Sequence, residues 1–177
     1  MTTGNERTLN MLNTARQMET KGHEFYEQAV AKSENELGRD IFRMLRQDEM
    51  VHLERINAIF EQLTAGRGWT GDWKALQPAH GNLGELFRAM AQKHGRGIRA
   101  TTKDLDALDI GIDFEAKSIA FYEQHGAEAT EALEQEFIEC MIDEEKKHHR
   151  LLVDMKFYLQ SPDSWFQEMQ RGILDGV

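Results

Sequence analysis

METKGHEFYEQ, residues 18–28, returns as FEAKSIAFYEQ at residues 114–124, 96 positions later, with six of eleven residues identical. The repeat runs on without a gap. Glu49-Met-Val-His52 begins thirty residues after Glu19, and Glu145-Lys-Lys-His148 begins thirty after Glu115. Each half of the chain therefore carries a lone glutamate and, a fixed distance on, a Glu-x-x-His pair. Together the halves offer six metal-ligating side chains in a symmetric set: Glu19, Glu49, His52, Glu115, Glu145 and His148.

The residues around these six follow a helical period. Leu12, Ala15, Gly22, Tyr26 and Ala29 share a face with Glu19, and Phe42, Leu45, His52, Ile56, Ile59 and Leu63 share one with Glu49. In the second half, Leu108, Gly111, Ser118 and Tyr122 line up with Glu115, while Ile138, Met141, His148, Leu152, Met155 and Leu159 line up with Glu145. The spacing predicts four long helices near 5–34, 37–65, 103–128 and 131–160. Asn35 and Gly38 mark the first turn, and Gly126 with Thr130, a good N-cap residue, marks the second. Glu19 lies 16 residues before a turn at 35, and the Glu49/His52 pair 14 to 17 after it. At about 1.5 Å per residue all three reach the same height, and the second hairpin repeats the arithmetic. The expected fold is all-α: an antiparallel four-helix bundle with both ligand sets at mid-height in its core.

Between the hairpins, 66–102 is glycine-rich and carries a short apolar patch at Leu83, Leu86, Phe87 and Met90. It reads as one long crossover that returns the chain to the starting end of the bundle. Ser161-Pro162-Asp163 reads as an N-cap with proline at the first helical position. A short C-terminal fifth helix is expected there, with Trp165, Phe166, Met169 and Ile173 on its apolar side. The chain thus reads as a single domain, 1–177, made of hairpin one (5–65), crossover (66–102), hairpin two (103–160) and C-terminal helix (161–177).

The 177 residues, 40% of them apolar, suffice for one sizeable core. No stretch reaches the roughly 20 apolar residues that span a bilayer, and the opening residues lack the apolar block of a signal peptide, so no membrane partner and a cytoplasmic location are expected. A net charge of -10 disfavours a nucleic-acid partner. The single cysteine, Cys140, cannot form an internal disulfide or a four-thiolate centre and reads as a small buried hydrophobe. The aromatic tail after Ser161 points to self-association, and a homodimer is expected.

Residues three apart on a helix address one point, as Glu49 with His52 and Glu145 with His148 do. Four carboxylates converging in an apolar core repel one another and lose hydration unless cations bind. Two divalent metals balance the four negative charges. Carboxylate oxygen with one imidazole per metal suits iron or manganese, and zinc also binds such a site. One Glu-x-x-His alone is weak evidence, since it usually sits on a solvated face; two copies at equal spacing from two lone glutamates are not. Tyr26 and Tyr122 lie two turns after the lone glutamates, placed either to pack or to donate a phenol hydrogen bond to a ligand carboxylate. Asp48 and Glu144 are either solvated charges or acceptors for the ligand imidazoles, Asp48 for His148 and Glu144 for His52. His149 is expected at the surface, and His23, His80, His94 and His125 exposed.

The set Glu19, Glu49-x-x-His52, Glu115 and Glu145-x-x-His148, with Phe-Tyr after each lone glutamate, resembles the rubrerythrin branch of the ferritin-like di-iron carboxylate superfamily. The resemblance covers both hairpins. It implies two iron ions bridged by Glu49 and Glu145, with Glu19 and Glu115 as terminal carboxylates and His52 and His148 each on one metal. Members similar to this chain reduce hydrogen peroxide or dioxygen at a di-ferrous centre, whereas ferritins oxidise iron for storage; a metal-binding protein without turnover is the remaining alternative. Full rubrerythrins add a rubredoxin domain with four cysteines. With one cysteine here, a separate electron donor protein is expected, with a rubredoxin as the candidate. Rubrerythrins also share a further glutamate one turn after the third-helix ligand, a place held here by Ser118.

Overall fold

The computed structural model describes residues 4–174, and side chains from 5 to 171. Among the described residues there are six α-helices and no strand: α1 (Gly4–Lys32), α2 (Glu36–Thr64), α3 (Leu83–His94), α4 (Thr102–Gly126), α5 (Ala132–Gln160) and α6 (Pro162–Leu174). Helix α1 packs along α2, and α4 along α5, as two antiparallel hairpins. The bundle is the ferritin-like all-α arrangement expected from the repeat.

Local chemistry sets the helix ends. Asn35 caps α2, its side chain accepting from the Gly38 amide at 2.6 Å. Thr101 and Asp104 form a reciprocal capping box at the start of α4, and the Ser33 hydroxyl donates to Asp104 at 3.1 Å, which ties the first turn to the second hairpin. The expected cap at Thr130 is not formed: Glu131 holds that position at α5 and makes no side-chain capping bond. Thr130 sits one residue too early and is exposed.

The crossover departs from the sequence reading in containing α3. Asn82 caps it by accepting from the Glu85 amide at 3.2 Å, and Gly95, at φ 68°, ends it in a conformation that favours glycine. The patch Leu83, Leu86, Phe87 and Met90 is thus one face of a helix, and the C-terminal helix is the sixth rather than the fifth. Helix α6 begins at Pro162 as expected, but its aromatic face is not left for a second copy. Trp165 is 2% exposed, packed edge-on to Phe87 and Tyr158, with its indole N–H donating to Asp154 at 2.7 Å. The aromatic ground for expecting a homodimer is therefore absent. Ile173, placed on that face from the sequence, lies outside the described side chains.

The core falls into two apolar clusters. One holds Tyr26, Ile41, Phe42, Leu45, Phe87, Leu108, Leu152, Met155, Tyr158 and Trp165; the other holds Met11, Leu12, Ala15, Ile56, Ile59, Leu63, Tyr122, Phe137, Ile138 and Met141. Each fully buried Leu or Phe contributes about 1.5–3 kcal/mol. Along every long helix the ligand candidates fall between members of the two clusters, as Glu49 does between Leu45 and Ile56. A polar layer is thereby enclosed between two apolar ones.

Candidate metal centre

The structure brings together all six side chains singled out from the repeat. In one set, Glu19, Glu49, His52 and Glu145 each place a ligating atom within 4.8 Å of the others; in a second, Glu49, Glu115, Glu145 and His148 do the same. Glu49 and Glu145 belong to both sets. All six residues are buried, none more than 1% exposed. Each set draws three residues from one hairpin and one glutamate from the other, so neither hairpin completes a set alone.

Both imidazoles turn Nδ1 inward. His52 Nδ1 lies 3.1 Å from Glu19 Oε2 and 3.3 Å from Glu145 Oε1, and His148 Nδ1 lies 3.7 Å from oxygens of Glu49, Glu115 and Glu145. The rings stack with centroids 5.6 Å apart. Their Nε2 atoms point outward, His52 to Glu144 Oε2 at 2.9 Å and His148 to Asp48 Oδ2 at 3.2 Å. Such outer acceptors fix a ligand imidazole's tautomer and leave Nδ1 free for a metal.

The tyrosines cross between halves. Tyr122 of α4 donates to Glu19 Oε1 of α1 at 2.5 Å, and Tyr26 of α1 donates to Glu115 of α4. Each lone glutamate thus has one oxygen held by a phenol from the other hairpin. Burial, then the nearby carboxylates, push both phenols well above their ordinary pKa and keep them protonated as donors.

Several atoms that face the centre have no hydrogen-bond partner: both oxygens of Glu49 and of Glu145, Oε2 of Glu115 and Nδ1 of His148. Buried acceptors are rarely left so, and here they converge. Charge tells the same story. Burial raises Glu49 far above its ordinary range, helped by Glu19, Glu145 and Glu115; burial and the Glu145 charge raise Glu115 to about 8. Burial also opposes ionisation of Glu145, but the close approach of Glu115, His148 and His52 outweighs it and holds that carboxyl low. For His52 and His148, burial disfavours the cation, yet the charges of Glu19 and of Glu115 and the surrounding hydrogen bonds raise both rings well above the usual value. Protons thus do the neutralising that divalent cations would do. The donor set, carboxylate oxygens with one imidazole per set, fits two iron or manganese ions, and zinc also binds such ligands.

Three contributors were not foreseen. Arg55, fully buried, lies one turn after His52 and clamps Glu144 at 2.6 and 3.2 Å, while its Nε donates to the Leu76 carbonyl of the crossover at 2.7 Å. Burial opposes ionisation of Glu144, but the hydrogen bonds of His52 and Arg55 overcome it and hold the carboxyl at about 2. Gly22 gives room: a methyl there would sit 2.7 Å from the Phe114 ring and 2.9 Å from Glu49 Oε2. His80 is not exposed as expected but half-buried, with Nε2 3.8 Å from Asp48 Oδ1. His23, His94, His125 and His149 are likewise half-buried, on helix flanks rather than in solvent. Cys140 is half-buried rather than buried: it packs against the second apolar cluster, with its thiol by Arg55 and Glu144 at 3.7 and 3.8 Å. Ser118, on the Glu115 face, is buried with a hydroxyl that has no partner.

A four-helix bundle enclosing four glutamates and two histidines, with two glutamates common to both ligand sets, has the form of a ferritin-like carboxylate protein. The family model for Rubrerythrin matches residues 10–156, and the chain belongs to the rubrerythrin family. No curated protein and no solved structure matches it. Among the described residues no helix is long and apolar enough to cross a membrane.

Proposed function

We propose that the chain is a di-iron oxidoreductase of rubrerythrin type, with Glu49 and Glu145 bridging, Glu19 and Glu115 terminal, and His52 and His148 on one metal each. The observation that carries this reading is the sharing of Glu49 and Glu145 between two buried ligand sets. Two ferrous ions held there would supply the two electrons that, with two protons, reduce hydrogen peroxide to two waters, or would start the reduction of dioxygen.

The protein's own part is to hold and to exclude. Glu144 and Asp48 anchor the imidazoles, and Arg55 keeps Glu144 ionised so that its hold on His52 persists. Tyr26 and Tyr122 fix one oxygen of each lone glutamate and leave the other to face the centre. The apolar layers above and below keep bulk water out, which strengthens every charge interaction inside. Electrons reach the centre from a donor outside these 177 residues, whose one cysteine cannot build a four-thiolate relay.

Anaerobic loading with Fe(II), then a titration with hydrogen peroxide, tests this. One peroxide consumed per two irons oxidised is the expected result. Bound Fe(II) that survives excess peroxide and air would reject the redox reading.

A further inference from the structure

The repeat makes the two imidazoles equivalent in sequence, but their outer faces differ in space. Behind His52, Glu144 is fully engaged by His52 and the two Arg55 donors. Behind His148, Asp48 gives Oδ2 to the ring, while its Oδ1 has no hydrogen bond although the residue is only 2% exposed. The position 96 residues after Arg55 is Leu151, so α5 brings no matching cation. What faces Oδ1 is His80 of the crossover, whose Nε2 is also buried without a hydrogen bond. At 3.8 Å the two are too far apart to bond directly.

Both residues border a cavity of about 140 Å³ that also touches Gln77, Glu144 and Lys147 and has His148 as part of its wall. Lys147 is exposed and paired with Asp143 at 2.6 Å, and Arg55 is committed to Glu144 and Leu76. A buried carboxylate oxygen and an imidazole nitrogen thus face each other with no protein cation between them. Metal–ligand bonds of about 2.1 Å opening at roughly 130° span that gap.

We propose that Asp48 Oδ1 and His80 Nε2 form an outer site for a divalent first-row cation, completed by water, from which the ion passes His148 to enter the core. Carboxylate with imidazole suits Fe(II), Mn(II), Co(II) or Zn(II) rather than Mg(II). Two protein ligands hold weakly, as transit requires. The transit step rests on the core being a metal centre; the outer ion does not.

The probe is Co(II), added to metal-free protein in equilibrium dialysis with metal analysis, for the wild type and for His80→Ala and His80→Gln. The ion-pair contact of His80 is to Asp48 and not to a core ligand, so both variants should fold, with circular dichroism as the check. The wild type should bind a third equivalent about tenfold more weakly than the first two. Both variants should lose that third equivalent and keep two, and stopped-flow absorbance should show their core filling several-fold more slowly. Absence of a third equivalent in the wild type, or its survival in both variants, overturns the site. Loss of the third equivalent with unchanged core filling overturns transit. A core that binds nothing while the third equivalent remains rejects the proposed function and not this site.

Discussion

At the scale of single residues, the sharing of Glu49 and Glu145 gives unequal consequences for removing one carboxylate. Glu145→Ala strips a ligand from both sets and Glu19→Ala from one. Metal analysis should find that Glu145→Ala loses half or more of the bound metal and that Glu19→Ala loses less; equal content in the two variants would speak against bridging. Arg55→Met leaves Glu144 with His52 but without its guanidinium, and frees the Leu76 carbonyl. Removing one member of a buried pair costs about 3–5 kcal/mol, and the half-buried Glu144 puts this case at the lower end. Chemical denaturation of the metal-free variant measures it, and a loss below about 1 kcal/mol would mean the pair is not structural. The convergence of the six side chains, and the places of Asp48 and Glu144 beside the imidazoles, were legible because each follows from helical position alone. Arg55 and His80 were not. Their roles depend on where the crossover lays Leu76 and His80 against α2, which no helical period encodes.

At the scale of elements, the four long helices were legible to within a few residues, since each combines an apolar face with turn residues at its ends. Helix α3 is hidden in the sequence although its apolar residues recur at helical spacing. Gly81, Gly84, Gly95 and Gly97 crowd so short a segment that composition reads as loop, and the Asn82 cap overrides it. Close packing of α1 is set by Gly22. In Gly22→Ala, better helix propensity, worth about 1 kcal/mol, works against overpacking of about 1–3 kcal/mol as the methyl meets Phe114 and Glu49. Thermal unfolding should show net destabilisation of the metal-free protein, together with weaker metal binding because Glu49 must move. A variant that is more stable and binds metal normally would show that the ring and the carboxylate yield freely.

At the scale of the whole molecule, the ionisable core makes stability depend on pH in a sense opposite to most proteins. Glu115 is raised from 4.5 to about 8, so between those values the folded metal-free state keeps a proton that the unfolded chain has released. The raised His52 and His148 act alike: their contribution is complete below the ordinary histidine value and is lost as pH rises through their folded pKa. Stability of the metal-free protein should therefore fall as pH rises from about 5.5 to 8.5. Below about 4.5 the lowered Glu144 and Glu145 reverse the sign. Metal binding displaces those protons, so in the same window metal affinity should rise with pH. Calorimetric Tm values of metal-free and metal-loaded protein check both slopes, and parallel slopes would contradict the exchange of protons for metal.

On the proposed reading, the two halves build one dinuclear centre between two apolar layers. Anomalous diffraction at the iron edge from iron-loaded crystals tests it most directly. Two peaks in the core are predicted, both against Glu49 and Glu145, one also against Glu19 and His52 and the other against Glu115 and His148. A core without anomalous density, or a single peak that touches only one hairpin, would rule out a dinuclear centre shared by the two halves.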